Sequence, residues 1–258
     1  MGFALGSKAI ARGYRLAAYD TIGSTSSEAM ERGRAGDAGR LWVVATEQTA
    51  GHGRRGRPWQ TPGGNLAASL LLSLPKGSAQ AATLGFAAGL AVTEAISVGC
   101  EDSLRLKWPN DVLIDGAKVA GILLEAVTLA TGRSIVVIGI GVNVRHAPEG
   151  VPYPATSLAA CGSHATPGSL FEALSDSWVE QEVLWDHGRG FSAIRDRWLG
   201  SAAGLGAPIA VKMGESVFRG TFETIDSDGR LVVRSGDGSA TTISAGEVHF
   251  GAAGTAAL

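Results

Sequence analysis

The sequence predicts an α+β fold with a small all-β unit at its C-terminal end. Three observations carry this. Apolar runs of strand length recur at 41–46, 66–74 and 134–144. Two stretches, 79–98 and 169–185, place small and apolar residues at helical spacing. Beyond residues 200–206 (G-S-A-A-G-L-G), a linker by composition, the pattern changes to short strands divided by turn signals. The expected division is 1–203 and 204–258.

Residues 1–13 specify little, and 14–22 alternates as a short strand. Thr25 with Glu28 three residues on is a capping-box pattern, so a helix starts there and ends near Gly33 or Gly36. The hydroxyls of Ser24, Thr25 and Ser26 have two readings: they only cap, or the helix N-terminus also holds a polar ligand group. Residues 41–46 (L-W-V-V-A-T) and 66–74 (L-A-A-S-L-L-L-S-L) read as buried strands on either side of a long loop. Residues 79–98, with Leu84, Ala88, Ala91 and Ala95 in step, read as a packed helix.

A strand over 104–107 enters K-W-P-N-D at 107–111. Pro109 offers no N–H, so a break or bulge is expected there before the strand resumes at 112–114. Asp115-Gly116 is a hairpin signal, and 118–125 is the return strand. Lys118 opens its apolar run, V-A-G-I-L-L, either as a snorkelling surface residue or as a charge aimed into a pocket. In the strand over 134–144, Gly139 and Gly141 leave bare backbone on one face. They either ease sheet packing or mark a close approach. Asn143 ends that run. Residues 145–156, with three prolines, form a loop that is a candidate for ordering on ligand binding. Helices are expected over 169–185 and 191–199, their aromatic residues serving the core. Strands follow at 208–213, 217–225, 231–234 and 241–243. A unit of about 50 residues is near the lower limit for independent stability, so it should dock on what precedes it.

A chain of 258 residues holds one large domain, or a large and a small one. Its net charge of −2 argues against a general nucleic-acid binder. Cys100 and Cys161 match neither metal-site nor disulfide spacing, and a reduced, cytoplasmic setting fits them. No secretory signal and no apolar run of roughly 18 residues is present. The five histidines form no metal motif, and no metal ligand is identified in the protein.

The stretch richest in chemistry is 47–59, E-Q-T-A-G-H-G-R-R-G-R-P-W. Glycines let backbone approach a ligand, successive N–H groups can cradle an anion, and arginine forks suit phosphate or carboxylate. Trp59 adds a flat apolar face. The stretch reads either as a solvated basic turn or as a loop closing over a phosphate-bearing ligand with a ring.

The motifs together resemble the biotin protein ligase family. They are G-H-G-R-R-G-R-P-W with G-G-N-L at 63–66, K-W-P-N-D at 107–111, K-V-A-G-I-L-L-E at 118–125, G-I-G-V-N-V at 139–144, A-T-S-L at 155–158 and S-A-G-E-V at 244–248. The resemblance implies a mixed, mainly antiparallel sheet with flanking helices, like the cores of class II synthetases and lipoate ligases, plus a C-terminal SH3-like β-barrel. It implies ATP-dependent activation of biotin to biotinoyl-AMP. Transfer to a lysine of a biotin carboxyl carrier protein or domain follows, with Mg²⁺ accompanying ATP.

It also implies residue roles. Arg54 lies by the biotin carboxylate and α-phosphate, and Lys118 bonds that carboxylate. Lys107 and Asn110 lie by the phosphates, and Arg57 and Trp59 hold and cover the ATP side. Ser24, Thr25 and Gln48 bind the ureido ring, with Gly53 and Gly139 nearby and Val142 lining the pocket. Asn143 faces the adenylate. Asp111 orients or deprotonates the acceptor lysine. His52 stands where many members carry arginine, and Ser26 where asparagine is frequent; both belong to the biotin site by position. The helix at Ser24 starts too near Met1 for a helix-turn-helix to precede it, so no DNA-binding repressor is expected, and no membrane partner. A sheet edge can serve a homodimer or the carrier equally. The competing readings are a lipoate or octanoate ligase and a non-catalytic biotin-binding regulator.

Overall fold

The computed structural model describes residues 2–75, 79–96 and 103–250. Cys100 and the end of the helix expected at Val98 lie outside them. The central sheet has seven strands: β1 (Arg15–Ile22), β2 (Leu41–Gln48), β3 (Leu66–Leu74), β4 (Leu104–Lys107), β5 (Asp111–Ile114), β6 (Ala117–Thr128) and β7 (Ser134–Val142). Their order is β1-β2-β3-β7-β6-β5-β4. Among the described strands of this sheet only β1 and β2 are parallel, because helix α2 (Thr25–Arg34) crosses over between them. The other pairs are antiparallel.

Alternation along the strands separates two faces. One carries Trp42, Leu70, Ile122 and Ile138 and packs on three helices: α3 (Leu84–Ile96), α4 (Pro167–Trp185) and α5 (Phe191–Gly200). Trp178, Trp185 and Phe191 are buried there, as the helical spacing predicted. The other face is covered by α2 chiefly over β2, β3 and β7, where Ala29 meets Leu41, Val43, Leu71, Ile135 and Val137. The remainder of that face, toward β6, β5 and β4, carries the site.

A short helix, α1 (Ser7–Ala11), lies in the stretch that specified little. Residues 79–83 form a 3-10 turn ahead of α3, which shortens the helix expected there. The 107–111 segment differs more from expectation. The strand does not break and resume. It reverses, so that Lys107 pairs with Asp111 across a β4–β5 hairpin. The Trp108–Pro109 peptide in the turn is cis. Trp108 is buried, and its Nε1–H donates to the Gly229 carbonyl (3.1 Å). At Asp115-Gly116 both residues have positive φ, as the tight β5–β6 turn requires.

The C-terminal sheet contains β8 (Pro208–Met213), β9 (Ser216–Ile225), β10 (Leu231–Arg234), β11 (Ala240–Ile243) and β12 (Glu247–Phe250), in the order β11-β10-β9-β8-β12. β12 was missed in the sequence, and the expected small β unit is a five-stranded sheet in which β11 and β12 each pair with one strand. Its interior (Ile209, Val211, Phe222, Leu231 and Val233) is continuous with the main core, so it docks as its size required. Hydrogen bonds from Leu106 N to Ser201 O and from Ala203 N to Leu106 O, both 2.8 Å, fix the join.

Tyr14 closes the helical face. Its buried hydroxyl accepts from Trp178 Nε1 (2.7 Å), and burial raises its pKa well above the ordinary phenol value. Tyr14→Phe leaves a buried indole N–H unpartnered. We expect a loss of about 1–3 kcal/mol, read as a fall in Tm of roughly 2–4 °C per kcal/mol. An unchanged Tm would mean that the bond adds nothing to stability.

Candidate active site

Directly opposed residues in an antiparallel sheet share a face. The register therefore draws one row across five strands: Ala67, Gly141, Gly121, Asp111 and Lys107. The next row holds Ser69, Gly139 and Leu123. A floor almost without side chains thus runs between two walls. The glycines mark close approach. A Cβ on Gly141 would lie 2.2 Å from the Trp59 indole, one on Gly121 would lie 3.1 Å from it, and one on Gly139 would lie 2.5 Å from Ser26 Oγ. Val142 was expected to line the pocket. By alternation its side chain joins Ile138 and Ile140 in the main core, so only its backbone is available to the site.

The N-terminus of α2 forms one wall. Ser24, not Thr25, is the N-cap, accepting from Ser27 N (3.4 Å). Glu28 bonds Tyr19 and Arg32 instead of closing a capping box. Thr25 is thereby released from capping. Its N–H and hydroxyl both donate to Gln48 Oε1 (2.8 and 3.0 Å). Ser69 Oγ bonds both Thr25 Oγ1 (2.8 Å) and Ser26 Oγ (3.0 Å), and Gln48 Nε2 donates to Thr61 (3.1 Å). Ser69 and Thr61 were missed in the sequence. The available signal for Ser69 was a hydroxyl inside the apolar run of β3.

The glycine-arginine loop forms the roof. Arg55 and Gly56 adopt positive φ at its tip, and Gly53 N donates to Arg57 O (2.7 Å). His52 sits between Ser24 Oγ (3.5 Å) and Glu125 (3.6 Å). Arg54 reaches inward, donating to Asn110 Oδ1 (3.0 Å), while Asn110 Nδ2 donates to Ile122 O (2.8 Å). Arg57 points elsewhere: it and Arg55 both pair with Glu247 on β12. Glu247 lies in the S-A-G-E-V motif, but nothing in that motif tied it to the loop, because the carboxylate arrives from another sheet.

Lys118 is aimed into the site. Its side chain is only 17% exposed, and Nζ lies 2.7 Å from Asp111 Oδ1, an ion pair without hydrogen-bond geometry. The same ammonium faces the rings of Trp59 (5.4 Å) and Tyr153 (5.5 Å). Lys107 lies over Phe250 (5.4 Å). Burial pulls its pKa below the ordinary lysine value, with Asp111 opposing the shift. Burial likewise lowers Arg54, again opposed by Asp111. Asn143, expected to face the adenylate, is buried. Its Nδ2 donates to Thr156 O (3.0 Å), which ties loop 145–156 to the sheet.

The structure thus gathers Arg54, Lys107 and Lys118 beside a glycine floor, with hydroxyls at one end and an indole above. That arrangement suits an anionic ligand. Residues 27–143 match the Biotin/lipoate A/B protein ligase family, and 204–251 match the Biotin protein ligase C terminal domain. The chain is 41% identical to the biotin–[acetyl-CoA-carboxylase] ligase of Paracoccus denitrificans, covering 88% of this chain and 97% of that one. It is 30% identical to a bifunctional ligase/repressor of Bacillus subtilis, covering 90% and 73%. The biotin protein ligase of Aquifex aeolicus, solved in complex with biotin and ATP, superposes with a TM-score of 0.75 at 26% identity, covering 91% and 97%. The chain belongs to the biotin protein ligase family.

Glu247→Ala should free the loop tip. Roughly 1 kcal/mol from two part-exposed ion pairs corresponds to about fivefold faster tryptic cleavage after Arg54 and Arg55. An unchanged cleavage rate would mean that Glu247 does not restrain the loop.

Proposed function

We propose that the protein activates biotin with ATP and transfers it to the acceptor lysine of a biotin carboxyl carrier domain. A carboxylate oxygen of biotin attacks the α-phosphorus, the bond to the bridging oxygen breaks, and pyrophosphate leaves. The lysine amine then attacks the acyl carbon, the acyl–phosphate bond breaks, AMP leaves, and the amine gives up a proton. The observation that carries this reading is the gathering of Arg54, Lys107 and Lys118 about Asp111 beside the glycine floor. Two anions must meet in the first step, and fixed positive charge lowers its barrier by electrostatic stabilisation and positioning.

In this reading Arg54 and Lys118 hold the biotin carboxylate beside the α-phosphate, and Lys107 and Asn110 attend the phosphates. Arg57 serves ATP on leaving Glu247, and Trp59 covers the nucleotide side. Ser24, Thr25, Ser26 and Gln48 receive the ureido ring, with His52, Gly53 and Gly139 beside it. ATP arrives as its Mg²⁺ complex. Residues 1–203 form the catalytic unit and 204–258 the accessory one, and the enzyme works in the cytoplasm. Among the described residues no helix is long and apolar enough to cross a membrane. A homodimer through a sheet edge belongs to the same proposal.

The test is biotin-dependent exchange of labelled pyrophosphate into ATP, with lipoate and octanoate as controls. Exchange is expected with biotin alone. No exchange with any acid would overturn the enzyme reading, and exchange with lipoate alone would move the substrate. Asp111 orients or deprotonates the acceptor lysine, an amine that is mostly protonated near neutral pH. Asp111→Asn should slow transfer from preformed adenylate by about 100-fold and slow exchange less. Equal effects on both steps would assign Asp111 to Lys118 alone.

A further inference from the structure

Tyr153 lies in the proline-rich loop and has no part in the roles described above. The loop is strapped to β6 at a single residue: Lys118 N donates to Pro154 O (2.8 Å) and Thr156 N donates to Lys118 O (2.9 Å). Asn143 Nδ2 secures the strap through Thr156 O (3.0 Å). The backbone of Lys118 and the position of Tyr153 are therefore set together. The Tyr153 ring centroid lies 5.5 Å from the Lys118 ammonium, and the Trp59 ring lies 5.4 Å from it. Asp111 Oδ1 stands 2.7 Å away. Nζ also lies beside Gly121, 3.2 Å from where a Cβ would be. Ring faces attract a cation and repel an anion. An anionic oxygen is thus turned away from both ring faces and from the Asp111 carboxylate, and it meets Lys118 from the side that these three groups leave free.

We propose that Tyr153 is a positioning residue. With Trp59 it holds the Lys118 ammonium at the edge of the floor, so that a carboxylate substrate meets it from one direction. The proposal rests on the biotin reading. It gives the half-exposed ring a use that simple loop cover does not, because the backbone strap is made at Lys118 itself.

The experiment measures pyrophosphate exchange for the full chain as wild type, Tyr153→Phe and Tyr153→Leu. Biotin is titrated at saturating ATP and ATP at saturating biotin, and Tm is recorded for each protein. Leucine keeps apolar bulk without a π face. We expect Tyr153→Leu to raise KM for biotin about threefold, the scale of a part-exposed cation–π contact. KM for ATP and Tm should stay at wild-type values. Tyr153→Phe should keep the wild-type KM for biotin. A leucine variant with unchanged KM for biotin overturns the proposal. So does a phenylalanine variant as impaired as leucine, which would assign the effect to the hydroxyl. A rise in both KM values with a lowered Tm overturns it in favour of a merely structural ring. Absence of exchange in the wild type would overturn the biotin reading and this proposal with it, so the wild-type arm separates the two failures.

Discussion

The pairing of β6 with β7 is the constraint on which the rest of the site depends. A slip of one residue between them would turn the side chains of one strand to the opposite face relative to the other. Either Ile122 or Ile140 would then stand on the floor, and Gly121 or Gly141 would leave a hole in the core. The ladder is continuous from Ala120–Val142 to Thr128–Ser134, and β3 repeats the restraint on the other side of β7. Ile138, Ile140 and Val142 are buried against the helices. Burying them forces Gly139 and Gly141 to face the other way. The same alternation makes the core and clears the floor.

Charge is arranged on that floor at a cost. Removing cations from water is unfavourable unless they gain partners. Burial lowers both Lys107 and Arg54, and Asp111 opposes the shift in each case while pairing directly with Lys118. One carboxylate therefore serves three cations. An anionic ligand entering the site meets positive groups already gathered and only partly compensated. In the proposed reaction that is preorganisation of the kind that lowers a barrier, because little rearrangement is needed when charge develops.

The C-terminal sheet reaches into this arrangement from outside. It shares the main core, receives the Trp108 indole hydrogen bond at Gly229, and presents Glu247 to Arg55 and Arg57. The loop's arginines are thereby divided. Arg54 is turned toward Asn110 and the floor, while the two beyond it are held at the interface. A loop that looked like one basic cluster in the sequence has two separate sets of partners.

Much of this was legible before folding. Strand lengths, the hairpin at Asp115-Gly116, the helix at Thr25 and the change of pattern after residue 206 follow from local periodicity and turn chemistry. Those are short-range properties that a sequence carries directly. The glycine-arginine loop, K-W-P-N-D and the lysine of the return strand also announced charge beside buried strands, and through their resemblance the family. Local pattern could not decide which partners those charges would find. The reversal at Pro109 that sets Lys107 opposite Asp111, the release of Thr25 from capping toward Gln48, the inward turn of Val142 and the capture of Arg57 by Glu247 all depend on residues far apart in the chain. Sequence determined which elements form and which chemistry they carry. Tertiary structure decided which charge meets which, because register and sheet docking bring distant segments together, and nothing within a single segment encodes its neighbour.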